Sequence, residues 1–342
     1  MLLRIANLRE RRRDIEAVKG VAILLVVFGH LVARQDPAGV EWYEPLRRAV
    51  YAFHMPLFLY LSGLVAIHSG FLHRRRVELP ALAAARARRL LLPFFALGVL
   101  IVLGKYAAMH VMHVDNPPSG LWSGLLALVW DTGHSPAISI WYLFVLFVVS
   151  LGSAAILNGR LARLPWLLAA SLMLFWIPAP AFIYLDRLAM FAPFFLLGAC
   201  AGATGTRWEI WLDRFWPWAM ALFLIVLAGV AARPVGPVLA QKTVLLLTGS
   251  ISLPAIHGCL RNLRSIALQT IFLRLGRYSF MIYLFNTSFI GLAKGVLLLA
   301  WNWDGTHFLG FAPALMAAGL MGPMAAKRYA FSRIPRLERM TD

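Results

Sequence analysis

Long apolar runs alternate with short basic segments along the chain, and this pattern predicts helices that cross a membrane. A spanning helix needs about 20 apolar residues, and ten runs approach that length. Their approximate bounds are 17–34, 49–68, 90–112, 138–157, 165–180, 183–203, 215–232, 236–258, 278–300 and 307–326. The apolar stretch 121–131 is too short to span. We therefore predict an all-α, polytopic integral membrane bundle of about ten transmembrane helices, forming a single domain over 1–342.

The composition supports a membrane protein and excludes several other classes. Hydrophobic residues make up 61% of the chain and charged residues 14%, whereas soluble domains have about 45–50% and about 25%. A soluble fold has too little interior for so much apolar surface. The two cysteines, Cys200 and Cys259, lie in apolar surroundings and form no disulfide or metal-binding pattern. An ordinary cytosolic enzyme, a secreted disulfide scaffold and a disordered chain are excluded.

The net charge of +18 is distributed as membrane topology requires, and it does not indicate a nucleic-acid partner. The basic residues cluster between the apolar runs. With the N-terminus inside, 25 of the 33 lysines and arginines fall on the inner side of a ten-span arrangement. Cytoplasmic loops carry such an excess. The expectation is a multi-pass protein, in a bacterial cell inner membrane, with both termini in the cytoplasm.

The first run carries two ionisable residues, Lys19 and His30. Their separation of eleven residues corresponds to three helical turns plus about 20°, so both lie on one face, about 16 Å apart along the axis. Ionisable groups inside a span are costly and commonly functional. The alternative is that Lys19 extends its amine to the headgroups and that His30 is a satisfied core histidine.

The second run begins at its outer end with His54 and continues to Ser62 and Gly63. Because consecutive spans are antiparallel, His54 and His30 can lie at a similar depth. Histidine is the side chain best suited to take a proton from a hydroxyl near neutral pH. Ser62 and Gly63 permit close helix packing. His54 on its own is equally consistent with a structural interfacial histidine.

The loop after the second run carries two arginine clusters, at 73–76 and 86–89. Arg86 and Arg89 have i, i+3 spacing and would share one face of a helix that enters the third span. Arginine matches phosphate oxygens with paired hydrogen bonds, which favours a phosphate site. Plain cytoplasmic-loop topology explains the same cluster equally well.

A metal site is not expected. His110, His113 and Asp115 stand together at the outer end of the third run. Their spacing is loose and no third strong ligand is fixed, so we predict no resident metal.

Polar and aromatic residues in two later runs offer contacts for an acceptor. Trp141 and Tyr142 suit either an outer aromatic belt or a platform for a sugar ring. Tyr283 and Asn286 are polar groups on an apolar helix, a pattern typical of contacts between helices.

Several segments of the chain resemble motifs of one protein family. RDIEAVKGVAILLVVFGH at 13–30, FHMPLFLYLSG at 53–63 and RARRLLLP at 86–93 are similar to motifs of the membrane acyltransferase-3 family, especially its branch related to fucose 4-O-acetylases. Weaker similarities follow in the family's order, at 140–146, 191–199 and 275–286. Together they cover nearly the whole chain.

The resemblance implies a ten-helix enzyme that takes an acyl group, usually acetyl, from cytoplasmic acyl-CoA. It delivers the group to a hydroxyl of a carbohydrate, such as an exopolysaccharide, an O-antigen or another glycan, at the outer face. No permanently bound cofactor is expected, since acetyl-CoA is a substrate. The resemblance and the residue patterns together give the catalytic candidates His30, His54, Lys19 and Glu16. They also give the donor-binding candidates Arg86, Arg89 and Arg13, and the acceptor-binding candidates Trp141, Tyr142, Ser62 and Asn286.

The chain departs from the family pattern at three positions. Lys19 replaces an arginine, which keeps the charge but loses the planar fork. Glu16 replaces an aspartate. Asn286 stands where many members have histidine, which argues against proton transfer from that position.

A different class remains open from sequence. Many spans and a basic inner face would also suit an exporter of an anionic glycolipid that performs no acyl transfer. The sequence shows no paired half-repeats of the kind that mark many transporters. An inactive sensor on the same fold is a third possibility. Acetylation of a sugar by the purified protein distinguishes the enzyme from both.

Overall fold

The computed structural model describes residues 2–32, 37–111, 114, 116–232 and 236–333, with side chains from residue 13 onward. Within these ranges the chain is helical and contains no strand beyond an isolated bridge between Ala38 and Asp304. The helices are α1 Leu2–Gly29, α2 Tyr43–Tyr51, α3 His54–His68, α4 Leu79–Arg86, α5 Leu92–Ala108, α6 Leu121–Leu126, α7 Trp141–Leu157, α8 Leu164–Trp176, α9 Leu185–Thr204, α10 Thr206–Ala232, α11 Val238–Arg261, α12 Ile266–Arg277, α13 Ser279–Leu297 and α14 Gly305–Tyr329.

Eight helical segments of the described ranges are long and apolar enough to cross a membrane. They contain α2 with α3, α4 with α5, α7, α9, α10, α11, α13 and α14. Each coincides with one of the predicted runs. The all-α, multi-pass membrane architecture is thereby confirmed, and the stretch 121–131 forms only the short helix α6.

The first and fifth predicted runs differ from the other eight. Helix α1 begins far upstream of the predicted start, at Leu2, and ends at Gly29 rather than near 34, so its N-terminal half is strongly charged. Helix α8 has only 13 residues. Length and composition therefore do not assign a span to either. Helix α1 nevertheless lies inside the bundle, where Val18, Ala22 and Ile23 are fully buried.

The second predicted run contains a helix break that the apolar pattern does not show. Phe53 has φ −143° and separates α2 from α3. Pro56 explains the position of the break. In a continuous helix its ring would clash with the carbonyl of Ala52, whereas in the first turn of α3 its missing N–H costs nothing. The break sets His54 at the start of α3.

Glycines allow two pairs of helices to meet backbone to backbone. A Cβ on Gly20 of α1 would overlap the carbonyl of Phe272, and one on Gly276 of α12 would overlap the carbonyl of Glu16. Helix α12 therefore packs closely against the middle of α1, around Glu16 and Gly20. Gly63 of α3 and Gly198 of α9 form a second reciprocal contact of this kind, as expected for close approach at Gly63.

The last helix begins at a capping aspartate. The Asp304 carboxylate accepts the backbone N–H of His307 at 3.0 Å and the hydroxyl of Thr306 at 2.8 Å. These bonds and the one to the His307 ring stabilise the carboxylate and lower the pKa of Asp304 to about 2. The bridge from Ala38 to Asp304 joins the connection after α1 to this helix start.

Candidate active site

One cleft collects residues from distant parts of the chain. It has a volume of about 160 Å³ and lies between α1, α3, α7, α13 and the segment that enters α5. Five predicted site residues line it: Lys19, Ser62, Arg86, Arg89 and Tyr142. The structure therefore brings together three cations and two hydroxyl groups that the sequence distributes over three apolar runs and the loop after the second run.

The lining of the cleft is cationic and otherwise mostly apolar. Besides the predicted residues it contains the hydroxyl side chains Ser69, Ser279 and Tyr283, and the remaining walls are apolar. None of the described residues that line the cleft is a carboxylate. Three cations without a neighbouring acidic side chain favour an anionic group, and the apolar walls favour an extended apolar part of the same molecule.

The segment that carries Arg86 and Arg89 adopts a π-helical turn over Ala87–Leu91. The i, i+3 spacing of the two arginines had predicted a regular α-helix there. Single π-turns inside helices are frequent at functional sites. Arg86 is fixed by a bond from Nε to Ser150 Oγ at 3.0 Å and lies 4.2 Å from the centroid of the Phe71 ring. Arg89 lines the same cleft across the widened turn.

Hydrogen bonds of three hydroxyl side chains connect α3, α7 and α13 at the wall of the cleft. Ser62 Oγ and the Tyr142 hydroxyl are 2.6 Å apart. The backbone N–H of Tyr142 donates to the Tyr283 hydroxyl at 3.2 Å, and that hydroxyl donates to the carbonyl of Ser139 at 2.8 Å. Tyr142 is buried. These bonds hold polar atoms at defined positions in a mostly apolar wall.

His30 lies just beyond the end of α1, and its partner is Asn286 of α13. The ring Nδ1 is 3.1 Å from Asn286 Oδ1. His30 is partly buried, and its Nε2 makes no hydrogen bond with any described residue. His30 does not line the cleft that holds Lys19. Lys19 and His30 therefore serve different regions at the two ends of one helix segment.

His54 completes a pair of histidines. Its ring is buried, and Nδ1 donates to the carbonyl of Val50 at 2.9 Å. Tyr51 contacts both regions, since its hydroxyl donates to the carbonyl of Gly29, the residue before His30. A similar depth for the two histidines stays a prediction. The ring of Tyr51 lies over that of His54 with a centroid distance of 5.0 Å.

Three side chains of α2 hold the segment around His30. The hydroxyl of Tyr43 donates to the carbonyl of Phe28, and that of Tyr51 donates to the carbonyl of Gly29 at 2.7 Å. Arg47 donates to the carbonyl of Val32 at 3.0 Å. The last carbonyls of a helix lack partners within the helix. Their capture by α2 fixes the end of α1 and hence the position of His30.

The chain matches the family described as an acyltransferase domain, acyltransferase-3, over residues 12–328. The match spans nearly the whole chain and contains every candidate residue named above. The chain belongs to the acyltransferase-3 family. Together with the eight candidate spans, this makes it a multi-pass membrane acyltransferase.

Two relatives are proteins named nodulation protein NolL. The chain is 27% identical to NolL of Sinorhizobium fredii over 329 residues, which are 90% of this chain and 86% of the relative. It is 33% identical to NolL of Mesorhizobium japonicum over 109 residues, 31% of this chain and 28% of the relative. No solved structure matches the chain significantly.

The other predicted site residues of this acyltransferase lie outside the cleft. Glu16 Oε2 is 3.6 Å from Nε of Arg277, and Arg13 is exposed on α1. Trp141 is buried beneath the guanidinium of Arg187, which lies 4.7 Å from the ring centroid. The indole of Trp141 is therefore covered on that face by a residue of the same chain.

A buried network escaped the sequence reasoning. Trp208 Nε1 donates to the Tyr60 hydroxyl at 2.8 Å, and this hydroxyl lies 2.8 Å from His257 Nδ1. His257 Nε2 is 3.5 Å from the Asp14 carboxylate, to which Arg261 donates at 3.1 Å. His257 lies within the eighth predicted run, and an ionisable residue inside a span is itself a signal of a functional or structural site.

The described residues contain no group of three or more histidine, cysteine, aspartate or glutamate side chains suited to hold a metal. His110 Nδ1 donates to the carbonyl of Tyr106 at 2.8 Å. His113 and Asp115 lie outside the described residues.

Proposed function

We propose that this acyltransferase transfers an acyl group, normally acetyl, from cytoplasmic acyl-CoA to a hydroxyl of a cell-surface or lipid-linked carbohydrate, with His30 as the general base. The observation that carries the proposal is the convergence of Lys19, Arg86 and Arg89 on one cleft of a chain that belongs to an acyltransferase family.

The donor is proposed to enter through this cleft. The phosphates of CoA are polyanionic, and arginine binds phosphate oxygens through charge-assisted hydrogen bonds. Lys19 adds a third positive charge. The π-turn at Ala87–Leu91 sets Arg86 and Arg89 around the same space. Arg13 of α1, which is exposed, contributes to attraction of the donor rather than to its final position.

An acyl-CoA molecule carries its phosphates at one end and its thioester at the other. With the phosphates at Lys19, the extended pantetheine arm would lead along α1 toward His30, about 16 Å away by helix rise. The apolar walls of the cleft and its row of hydroxyl groups suit such an arm. This arrangement assigns donor binding to Lys19 and proton transfer to His30.

The proposed reaction requires one proton acceptor. Nε2 of His30 takes the proton of the acceptor hydroxyl as its oxygen attacks the thioester carbonyl. The tetrahedral intermediate then releases CoA as a thiolate, which takes up a proton as His30 gives one back. His54 stabilises or orients the acceptor near the same depth. Asn286 contacts the ring of His30. Ser62 and Tyr142 line the side of the cleft that would face the acyl group.

The proposed topology has ten spans in one domain, 1–342, with both termini in the cytoplasm of a bacterium. It adds α1 and α8 to the eight candidate spans. Helix α1 can be short in apolar residues because the bundle surrounds it. The basic clusters then face the cytoplasm, the side that holds acyl-CoA.

Mass spectrometry of surface glycans from cells with and without this chain tests the function. An acetyl group that is present only with the wild-type chain supports the proposal. Purified protein supplied with labelled acetyl-CoA and the identified glycan should then transfer the label. Export of an unmodified glycolipid without acetylation would replace the enzyme with the transporter class.

A further inference from the structure

Backbone carbonyl groups of α13 fix the orientation of the Asn286 side-chain amide. The side chain is buried on α13, and its Nδ2 donates to the carbonyls of Ile282 and Tyr283, both at 2.9 Å. An amide nitrogen has two N–H donors, and both are used. Reversing the amide would place its oxygen against these two carbonyl oxygens, which repel it. The oxygen Oδ1 must therefore face away from the backbone of α13.

This orientation determines the protonation of the neighbouring histidine. Oδ1 can only accept a hydrogen bond, and it lies 3.1 Å from Nδ1 of His30. Nδ1 must then carry a hydrogen. A neutral imidazole with Nδ1 protonated has its lone pair on Nε2. Nε2 makes no hydrogen bond with the described residues, so it is the nitrogen left for a proton from a substrate.

We propose that Asn286 is a positioning residue that locks His30 in the Nδ1–H tautomer and presents Nε2 as the proton acceptor. The proposal deepens the function given above, because it rests on His30 being the general base. It also gives the third departure from the family pattern a role. Asn286 cannot transfer a proton itself, but its oxygen selects the nitrogen of His30 that can.

The rest of the surroundings permits this arrangement. Helix α2 holds the carbonyls of Phe28 and Gly29, so the end of α1 is fixed independently of Asn286. Nδ1 of His54 on α3 donates to the carbonyl of Val50, so this nitrogen of the second histidine is already used. Removing the amide of Asn286 therefore releases the ring of His30 without removing its backbone support.

The tautomer can be measured directly. In protein labelled with ¹⁵N at histidine rings, the signals of His30 are assigned by their loss in His30→Asn. We expect the shift pair of the Nδ1–H tautomer in wild type. In Asn286→Leu, which removes the acceptor at similar volume, we expect a mixture of tautomers or the Nε2–H form. An Nε2–H tautomer in wild type overturns the proposal, even if Asn286→Leu does not fold.

Kinetics supply a second readout. Asn286→Leu should lower kcat by about tenfold or more, the range seen when an orienting partner is lost, and should leave the KM for acetyl-CoA within about twofold of wild type. Thr287→Val is the matched control on α13, since the hydroxyl of Thr287 lies 3.5 Å from that of Ser139 and has no other hydrogen bond with the described residues. It should keep kcat. Equal losses in the two variants would reduce Asn286 to a packing role.

The positioning role of Asn286 and the base role of His30 can be refuted separately. If His30→Asn is inactive and Asn286→Leu has wild-type kcat, the positioning role is wrong and the base assignment stands. If His30→Asn retains acetylation, the base assignment is wrong, while the tautomer measurement still reports on the contact between the two side chains.

Discussion

Arg86 is anchored to Ser150 through Nε at 3.0 Å, and this bond uses one of the five N–H donors of the guanidinium. The bond fixes the direction of the side chain while the other donors remain for a ligand. This geometry suits the proposed role of Arg86, because a guanidinium held in one direction can present its remaining donors to the phosphates of the donor.

The first prediction concerns Arg86 and Arg89. Charge-assisted bonds to phosphate contribute about 1.5–3 kcal/mol each. The double variant Arg86→Ala, Arg89→Ala should therefore weaken the apparent affinity for acyl-CoA by about tenfold or more, measured by titration of the purified protein. Arg88→Ala is the control, because Arg88 is exposed and does not line the cleft. The same loss in Arg88→Ala would attribute the effect to general surface charge.

The second prediction separates binding from chemistry. His30→Asn keeps a polar side chain of similar size but removes the base, so turnover should fall by about 10²–10⁴-fold. Acyl-CoA affinity should persist, because His30 does not line the donor cleft. His54→Asn should cause a smaller loss of turnover. Retention of more than about a tenth of wild-type turnover in His30→Asn, well short of that expected loss, would leave His54 as the leading base.

Span positions were predictable because the bilayer imposes a length and a composition on each helix. The cations of the cleft were also predictable, since Lys19, Arg86 and Arg89 stand out against apolar neighbours. The position at which α1 ends was not predictable from the sequence. The apolar run continues past Gly29, and the helix stops where the side chains of α2 capture its carbonyls. That capture depends on tertiary contact, which periodicity does not contain.

Side-chain contacts between helices that are distant in the sequence could not be predicted either. The sequence shows Asn286 as a polar residue in a span, but its partner His30 lies 256 positions away. The contact between Asp14 and Arg261 spans 247 positions. A single sequence shows which residues need a partner and does not show which partner they receive. The helix break before α3 is easier to predict from the sequence, because Pro56 is a local signal for it.

A third prediction follows from the glycine contact between α3 and α9. Gly63→Ala and Gly198→Ala each place a methyl group against backbone of the other helix, which cannot move as a flexible side chain would. Overpacking of this kind costs about 1–3 kcal/mol or more, so both variants should lower the Tm in detergent. Gly152→Ala is the control, because outside its own helix backbone no atom of the described residues lies within 4 Å of the added Cβ. Unchanged thermal stability in all three would contradict the close crossing.

A fourth prediction tests the proposed topology. In a protein with Cys200 and Cys259 replaced by serine, Ser332→Cys should be protected from an impermeant thiol reagent in intact cells and react after permeabilisation. Ser119→Cys, in the connection between α5 and α6, should react in intact cells. Both positions are exposed. Labelling of Ser332→Cys from outside would invert the orientation and remove the cytoplasmic donor route.

The fifth prediction distinguishes two carboxylates that bind the same guanidinium. Arg261 donates to Asp14 at 3.1 Å and to Asp213 at 2.9 Å. The side chain of Asp14 is only 9% exposed, whereas that of Asp213 is 43% exposed. Asp14 also lies 3.5 Å from His257 Nε2 and accepts the backbone N–H of Ile15 at 2.7 Å, so its loss removes an acceptor for Arg261 and for this N–H in a buried setting.

Asp14→Ala should therefore destabilise the fold by about 1–3 kcal/mol, the cost of unsatisfied buried polar groups. Asp213→Ala should cost about 0–1 kcal/mol, as for an exposed ion pair. Thermal unfolding of the two variants in detergent measures the difference in stability. We expect the larger loss for Asp14→Ala even though the hydrogen bond from Arg261 to Asp213 is the shorter of the two. The opposite order of stabilities would show that distance to Arg261, rather than burial of the carboxylate, determines the strength of this network.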